Sequence, residues 1–514
     1  MPFAHSETRL MVKPSNINTD CLYDIKSILN GFVFKSHRLY LFACLWLWLP
    51  CVIFLLGWFR PWISIPLVLL MSCATVHTVA LSPPDKPFPK GSRKRLAVCN
   101  VIIVLWVVVS GIGGYVWQDM WDHVFRNGLF LDLVNKPWPV TGTLNSDPAI
   151  LCYYFAFWLP SALLAKLTGS LEAGYAFQLI YAVIGVVLAL LMMFRRFDKI
   201  SLWIPIIFIF FSGWDYAGDL LLNGYDTMFW YNWKKDLCYG LYSAPSATVG
   251  LYYIYNQAIA VWIVMLLLID LLKKPRILIF CYSLISVFSP IAAFALAIPM
   301  FGYFLKYFKS CISWENVCGL LFGLLTLAFY SANSHVEGLR LNPDFSFGRY
   351  AVFILLSYGV FMTFVWKDII KDSVFWWLFG SMCLVILFKL GSDNDLAWRA
   401  TMPSFFYLML KVMRQGLQFT KMTGLKKFLF VFVIGIGALS SAANIAIRLR
   451  GHVKHYIIEG NNPRHVIYET LFNPKMPHVS NFIGTNDGLY MKYLMKDCGR
   501  NSDRKMTEKY FEGK

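Results

Sequence analysis

The sequence predicts an all-α integral membrane protein, a polytopic bundle of about thirteen transmembrane helices. Of its 514 residues, 58% are hydrophobic, 17% are aromatic and only 15% are charged. The mean hydropathy of +0.54 exceeds what a water-exposed surface carries. The apolar residues form runs long enough to enter a bilayer, and a single bundle with modest loops fits this pattern better than several soluble domains.

The apolar runs follow one another from residue 39 to residue 447. They cover residues 39–58, 62–81, 97–117, 172–194, 201–213, 249–272, 276–289, 291–308, 314–333, 349–366, 373–391, 400–414 and 426–447. We expect residues 1–38 to form a cytoplasmic N-terminal segment, 39–447 the transmembrane domain and 448–514 an extracytoplasmic C-terminal tail.

The positive charge of the chain indicates its orientation in a membrane. The formal net charge is +18, from 47 Lys and Arg against 29 Asp and Glu. Most basic residues stand in short loops beside apolar runs, where they meet anionic headgroups, so we expect membrane lipids and no nucleic acid as partners. The loop 82–95 is strongly basic and predicts a cytoplasmic position, which also puts the N-terminus inside.

The later basic loops all fall on the cytoplasmic side only if residues 149–167 do not cross the membrane. This apolar stretch contains Pro160 and Lys166, and Tyr153 and Tyr154 stand near its start. Such features are tolerated where a segment lies against protein or headgroups. We therefore predict a re-entrant or interfacial segment there, followed and preceded by extracytoplasmic loops.

Several kinds of chemistry are disfavoured by the motifs. The twelve cysteines form no CxxC pair or Cys/His cluster, which gives no support to a zinc or redox site. The chain also has no Walker loop, no GxGxxG motif after a strand and no GxSxG elbow. ATP-driven, dinucleotide-dependent and serine-hydrolase functions are therefore not expected.

Two carboxylates, Asp119 and Asp122, follow the third apolar run within the stretch WQDMWDH. A carboxylate among indoles at the mouth of an apolar bundle is partly desolvated, which increases its basicity and suits it to act as a general base. Because they are three residues apart, the two side chains share a helical face and could also hold a divalent cation. The alternative is that Asp122 is a helix cap or pairs with Arg126.

A second charged group comprises Asp395 and Arg399, at the start of an expected helix. A guanidinium can form a bidentate interaction with phosphate, and a helix N-terminus adds a favourable dipole. An ion pair at i, i+4 would explain both residues equally well.

Five stretches in order resemble GT-C-type polytopic membrane glycosyltransferases, from a largely uncharacterised bacterial group. They are DHVFRNGLFLDLVNKPWPV at 122–140, YYFAFWLPSAL at 153–163, FSGWDYAG at 211–218, Ser289-Pro290, and Asn394-Asp395 followed by RATMP at 399–403. The chain departs from the group at His123, Phe125 and Arg126, where Trp, Lys and His are common. Residues 255–259, YNQAI, stand where a PQHAL-like stretch is usual.

The resemblance implies a GT-C-like core at about 97–447 in the bacterial cytoplasmic (inner) membrane, with the C-terminus outside. It implies transfer of a hexosyl or pentosyl group from a polyprenyl-phosphate donor to an envelope glycan, lipid or protein. We predict Asp122 as the base with Asp119 as its backup, Arg399 as the phosphate ligand, and Asp395, Asp215, Tyr154 and Gln257 as supporting residues. The sequence establishes no cofactor, and a divalent cation, Mg²⁺ or Mn²⁺, at Asp119 and Asp122 stays open. The rivals are a polysaccharide polymerase or ligase, and a lipid-linked glycan transporter or flippase.

Overall fold

The computed structural model describes residues 37–85, 93–118, 122–144, 147–224, 242–333, 338–390, 395–473, 475–477, 479–484 and 488–497. Most of these residues are helical, as the composition predicts. The first helices are α1 (Arg38–Trp58), α2 (Pro61–Leu81), α3 (Arg93–Val109), α4 (Asp122–Asn135), α5 (Leu159–Thr168), α6 (Leu171–Phe197), α7 (Trp203–Phe210), α8 (Asp215–Asn223), α9 (Ala247–Tyr253) and α10 (Tyr255–Asp270). They are followed by α11 (Pro275–Ser283), α12 (Pro290–Lys306), α13 (Phe308–Cys311), α14 (Trp314–Tyr330), α15 (Phe347–Ile354), α16 (Val360–Ile369), α17 (Ser373–Val385), α18 (Asp395–Ala400), α19 (Met402–Gly416) and α20 (Gly424–Gly451).

Six helical stretches are long and apolar enough to cross a membrane, judged by length and composition. They are Arg38–Trp58, Pro61–Leu81, Leu171–Phe197, Trp203–Asn223, Phe347–Ile369 and Gly424–Ile458. The protein is therefore a multi-pass, predominantly α-helical membrane protein. Every apolar run predicted above overlaps at least one helix, but many of these helices are short, and the count of thirteen crossings stays a prediction.

The stretch Trp203–Asn223 is interrupted where the sequence predicts the end of one span. Helix α7 ends at Phe210, the chain is non-helical over 211–214, and α8 begins at Asp215. Here α20 approaches closely, because Gly437 faces the Ser212 carbonyl and a β-carbon would overlap it. A glycine in α20 therefore allows the broken segment to pack against that helix.

The predicted non-crossing segment contains no long helix. Strand β2 (Asp147–Leu151) leads through a single turn, Ala156–Trp158, into α5. At 1.5 Å per residue, the ten residues of α5 extend about 15 Å, roughly half of a hydrocarbon core.

A small antiparallel sheet stands at one end of the bundle, called the sheet end below. Its strands are β1 (Thr141–Leu144), β2 and β5 (Ile483–Gly484), in the order β1-β2-β5. Thr141 pairs with Ile150, and Ile150 pairs with Gly484. A second, two-stranded sheet joins β3 (Arg340–Leu341) to β4 (Phe388–Lys389). The three-stranded sheet thus binds the C-terminal residues to the loop after α4.

The N-terminal hairpin, α1 and α2, packs into the bundle. Trp46 donates a hydrogen bond from Nε1 to the Tyr181 carbonyl at 2.9 Å, and the two rings stack with centroids 4.6 Å apart. The Tyr40 hydroxyl donates to Asp270 at 2.8 Å. The hairpin is thus tied to α6 and α10 by buried polar contacts.

The described residues between 464 and 497 form a C-terminal segment that packs back onto the sheet end. Helix α20 continues into the π-helical stretch His452–Ile458, so the predicted boundary at 447 falls inside a helix. The buried Asp132 carboxylate accepts hydrogen bonds from the Thr470 hydroxyl and the Leu471 amide, each at 2.7 Å. Near its end, the Tyr490 hydroxyl donates to the Trp58 carbonyl at 2.9 Å.

Candidate functional site

A cavity of about 340 Å³ lies beside two adjacent tyrosines that follow strand β2. Its described walls are Cys152, Tyr153, Tyr154, Pro290, Ile291, Phe294, Tyr330, Asn333, Leu339, Leu390, Asp395, Leu396 and Asn481. Aliphatic and aromatic side chains dominate. The polar groups are three tyrosines, two amides and one carboxylate, so the cavity suits an apolar ligand with a polar end.

The tyrosine pair, Tyr153 and Tyr154, is held by backbone contacts on both sides. The Cys152 amide donates to the Phe482 carbonyl at 2.8 Å, and the Asn256 side chain donates to the Tyr154 carbonyl at 3.3 Å. The two ring centroids are 3.7 Å apart. Burial raises the pKa of both phenols, which therefore stay neutral and can donate hydrogen bonds.

Arg399 lies behind Tyr154 and is itself no part of the described cavity wall. Helix α18 brings its Nη1 to 2.5 Å from Asp395 Oδ1, and its guanidinium carbon is 5.6 Å from the Tyr154 ring centroid. Burial opposes the charge of Arg399, but the Asp395 carboxylate holds its pKa above the usual value. The structure thus contains the i, i+4 pair that the sequence left as an alternative to phosphate binding.

The Arg399–Asp395 pair is not saturated within the described chain. Arg399 is 7% exposed, and its buried Nε has no hydrogen-bond partner among the residues that the structure describes. The Asp395 side chain is 41% exposed and reaches the cavity. One buried guanidinium donor therefore has no acceptor among the described residues, and part of the Asp395 carboxylate is exposed at the cavity.

Asp122 begins helix α4 and pairs with Arg126 one turn later. Asp122 Oδ1 lies 3.1 Å from Arg126 Nη2, and the Asp122 side chain is 36% exposed. Arg126 is buried, donates to the Tyr253 carbonyl, and holds its guanidinium carbon 5.2 Å from the Tyr255 ring centroid. The ion pair proposed as the alternative to a catalytic role is present, and it leaves Asp122 accessible.

The two arginines approach the same tyrosine pair. Arg126 and Arg399 both act electrostatically on the Tyr153 and Tyr154 hydroxyls. The Asp122–Arg126 pair and the Asp395–Arg399 pair therefore lie near the same two tyrosines. Asp122 and Asp395 are 273 residues apart in the sequence. The structure brings Tyr154, Asp395 and Arg399 together, and Asp122 is connected to this group through its ion pair with Arg126.

Gln257 lies behind the cavity. It is fully buried in α10, and its Oε1 accepts a hydrogen bond from the Ser289 hydroxyl at 2.9 Å. Ser289 immediately precedes α12, whose first turn supplies Pro290, Ile291 and Phe294 to the wall. Gln257 therefore supports the position of a cavity helix.

Asp215 belongs to a different contact network. Its carboxylate accepts a hydrogen bond from Ser212 at 3.0 Å, and its helix α8 packs against α15 and α20. Asp119 lies outside the described residues. Among the residues that are described, no three His, Cys, Asp or Glu side chains group as a metal site would require, and Asp122 faces a guanidinium. Because Asp119 lies outside the described residues, the cation at Asp119 and Asp122 stays a prediction.

Sequence reasoning missed the contribution of the C-terminal segment to this site. Asn481 lines the cavity, and its carbonyl accepts a hydrogen bond from Asn333 at 3.4 Å. The Phe482 ring packs on Tyr153 with centroids 4.6 Å apart. The only local signal was a short apolar stretch, 482–483, within a polar tail, which is too weak to predict a strand that pairs with residues 150–151.

Comparison with known protein families and with curated proteins finds no match to this chain.

Proposed function

We propose that the protein is a membrane glycosyltransferase of GT-C type. It transfers a sugar from a polyprenyl-phosphate donor to an envelope glycan, lipid or protein acceptor. The observation that carries the proposal is the gathering of two arginine–carboxylate pairs around Tyr153 and Tyr154, beside an apolar cavity. Such a reaction needs an apolar surface for the lipid, a cation near the leaving phosphate and a base for the acceptor.

The cavity supplies the apolar surface. Ile291, Phe294 and Leu390 are among its walls, and its volume of about 340 Å³ accommodates the part of an isoprenoid chain nearest the phosphate. Tyr153, Tyr154 and Asp395 are polar members of its wall, and Arg399 lies against Tyr154 and Asp395. The donor phosphate is expected beside these residues, where its charge meets the arginines.

Arg399 is suited to hold the phosphate. Its guanidinium is permanently charged, and its Nε is one donor that has no partner in the described chain. Asp395 orients it from one side and Tyr154 from the other. As the bond between sugar and phosphate breaks, the electron pair stays with polyprenyl phosphate, and Arg399 balances the increasing negative charge.

Asp122 is suited to activate the acceptor. The acceptor oxygen forms a bond to the anomeric carbon, and its proton passes to the Asp122 carboxylate as the phosphate departs. Arg126 contacts Asp122 Oδ1, and the Asp122 side chain is 36% exposed, which lets an incoming hydroxyl approach it. No step of this reaction is assigned to a metal ion.

The proposal places the sheet end on the outer side of a bacterial cytoplasmic membrane. Thirteen crossings, a cytoplasmic N-terminus and a non-crossing segment at 149–167 put the basic loops inside. The short helix α5 is compatible with that segment. The donor would then be used where no nucleotide is available, which suits a lipid-linked sugar.

The test is release of polyprenyl phosphate. Purified protein in bilayers receives radiolabelled polyprenyl-phosphate hexoses and pentoses together with an envelope extract as acceptor. We expect release with at least one donor and a drop of at least about a hundredfold with Asp122→Asn. Asp147→Asn, which changes an exposed carboxylate in β2, serves as the matched control and should retain activity. Failure to release polyprenyl phosphate from every donor contradicts the proposal.

A non-catalytic carrier of lipid-linked glycan is the rival that one observation favours. Both carboxylates are already paired with arginines, as charges with a structural role would be. A carrier with Asp122→Asn still moves labelled lipid between the leaflets of vesicles and releases no polyprenyl phosphate. A polymerase or ligase is distinguished by its product, because it joins whole glycans and not single sugars.

A further inference from the structure

The C-terminal segment, residues 464–497, forms part of the cavity wall. Its strand β5 pairs with Ile150 and Leu151, the last two residues of β2. Asn333 donates to both the Cys152 carbonyl, at 3.3 Å, and the Asn481 carbonyl, at 3.4 Å. The residues directly before the tyrosine pair are thus tied to this segment by backbone and side-chain hydrogen bonds.

The Phe482 side chain of this segment touches the tyrosine pair at Tyr153. Its ring centroid is 4.6 Å from that of Tyr153 and 5.8 Å from that of Phe125, in the helix that carries Asp122 and Arg126. Phe482 is 6% exposed. It therefore fills the space between α4 and the tyrosine pair, where a smaller side chain would leave Tyr153 room to move.

Both flanks of Phe482 are fixed to the bundle. On one side Thr470 and Leu471 hydrogen-bond to Asp132 in α4. On the other side Tyr490 hydrogen-bonds to the Trp58 carbonyl at the end of α1. Because the segment is attached to the bundle at two points, the bundle fixes the position of the Phe482 ring.

We propose that Phe482 is a positioning residue, which holds Tyr153 and Tyr154 against the cavity and thereby sets the affinity for the lipid-linked donor. This inference rests on the proposed function. The Tyr153 ring packs on that of Tyr154, with centroids 3.7 Å apart, and the Tyr154 ring centroid is 5.6 Å from the Arg399 guanidinium carbon. Displacement of Tyr153 therefore disturbs the cavity wall beside Arg399 without removing a charged group.

The kinetic test compares three variants. Phe482→Ala is expected to raise the KM for the polyprenyl-phosphate sugar about tenfold, the scale of one lost aromatic pair, with a much smaller change in kcat. Phe482→Tyr keeps the ring and should restore the KM. The matched control is Phe472→Ala, since Phe472 is a buried phenylalanine of the same segment that packs on Gly142 and Lys136.

A second readout needs no donor. Cys152 is 1% exposed, lines the cavity and directly precedes Tyr153. Its labelling by a maleimide, located by mass spectrometry of peptides, should accelerate about tenfold in Phe482→Ala. Phe472→Ala and Phe482→Tyr should label at the wild-type rate, because the contact with Tyr153 is intact in both.

The two readouts separate the failure of each proposal. In a protein that turns over no donor, faster labelling in Phe482→Ala alone supports the placement of Tyr153 by Phe482, while the missing turnover contradicts the glycosyltransferase and with it the effect on donor affinity. Wild-type labelling and wild-type KM in Phe482→Ala overturn the positioning role. Equal effects in Phe472→Ala and Phe482→Ala also overturn it, because they indicate a general loosening of the segment.

Discussion

Around Tyr154 and around Glu315, an arginine meets a carboxylate within an otherwise apolar bundle, but the two regions use their charges differently. Glu315 is fully buried, and its oxygens accept contacts from His77 at 2.5 Å and from Arg276 at 3.1 and 3.4 Å. Asp395 is partly exposed to a cavity, and its partner Arg399 retains an Nε donor that no described residue accepts. Saturated groups hold helices together, whereas unsaturated groups beside a cavity can bind a ligand.

The contrast extends to the helices that the charges connect. His77, Arg276 and Glu315 join α2, α11 and α14, which ties the N-terminal hairpin to the bundle. Asp395 and Arg399 belong to one short helix and make their ion pair without any other element. Loss of the first cluster should therefore affect stability, and loss of the second should affect activity.

The largest expected effect follows Arg399→Met at the cavity. Under the proposed function, removal of the cation assigned to the leaving phosphate should lower donor turnover by about a hundredfold or more. Arg399→Lys should recover only part of this loss, because an ammonium lacks the planar set of donors. Turnover is measured as polyprenyl phosphate released per folded protein. Wild-type turnover in Arg399→Met would place the phosphate elsewhere and remove the contrast between the two regions.

The next effect follows Glu315→Ala. This change leaves His77 and Arg276 without their shared carboxylate, which should lower the free energy of unfolding by roughly 3 kcal/mol. Turnover per folded protein should be unchanged. The measurement is thermal unfolding followed by tryptophan fluorescence, alongside the donor assay. A selective loss of turnover at unaltered stability would give Glu315 a role in the reaction and blur the comparison.

Local patterns account for what was predicted correctly. Long apolar runs indicated the positions of the helices, as in 39–58 for Arg38–Trp58 and 172–194 for Leu171–Phe197. Spacing of four residues indicated both ion pairs, since i and i+4 are neighbours on a helix. Both features depend only on residues close together in the chain.

Contacts between distant segments could not be predicted in this way. Phe482 and Tyr153 are 329 residues apart in the sequence, and no motif around either residue indicates their contact. The break at 211–214 likewise depends on Gly437, which allows α20 to approach the Ser212 carbonyl. Such features arise from packing of the whole bundle. For this reason the C-terminal segment, which the sequence predicts as a separate tail, can form part of the cavity wall.

The smallest expected effect concerns Lys166, a cation whose contacts within the described residues include no carboxylate, unlike those of Arg276 and Arg399. Lys166, in the short helix α5, donates to the Lys136 carbonyl at 2.6 Å and lies 5.5 Å from the Trp138 ring, both uncharged groups. Burial lowers the pKa of Lys166 to about 8. Between about pH 8 and the usual lysine value, the unfolded chain binds a proton that the folded chain does not, so stability should rise with pH.

This pH dependence can be separated from that of other groups with Lys166→Met, which retains the apolar stem and removes the titration. In the wild-type protein the unfolding temperature should increase by about 1 °C between pH 8 and pH 10 relative to the variant. Arg276→Met provides a comparison at the saturated cluster, where no such relative increase is expected because arginine stays charged throughout this range. Parallel curves of unfolding temperature against pH for the wild type and Lys166→Met would contradict this prediction. They would show that the Lys136 carbonyl and the Trp138 ring stabilise the charged lysine as well as a carboxylate does. In that case, the presence of a carboxylate partner would not distinguish how the bundle holds its cations.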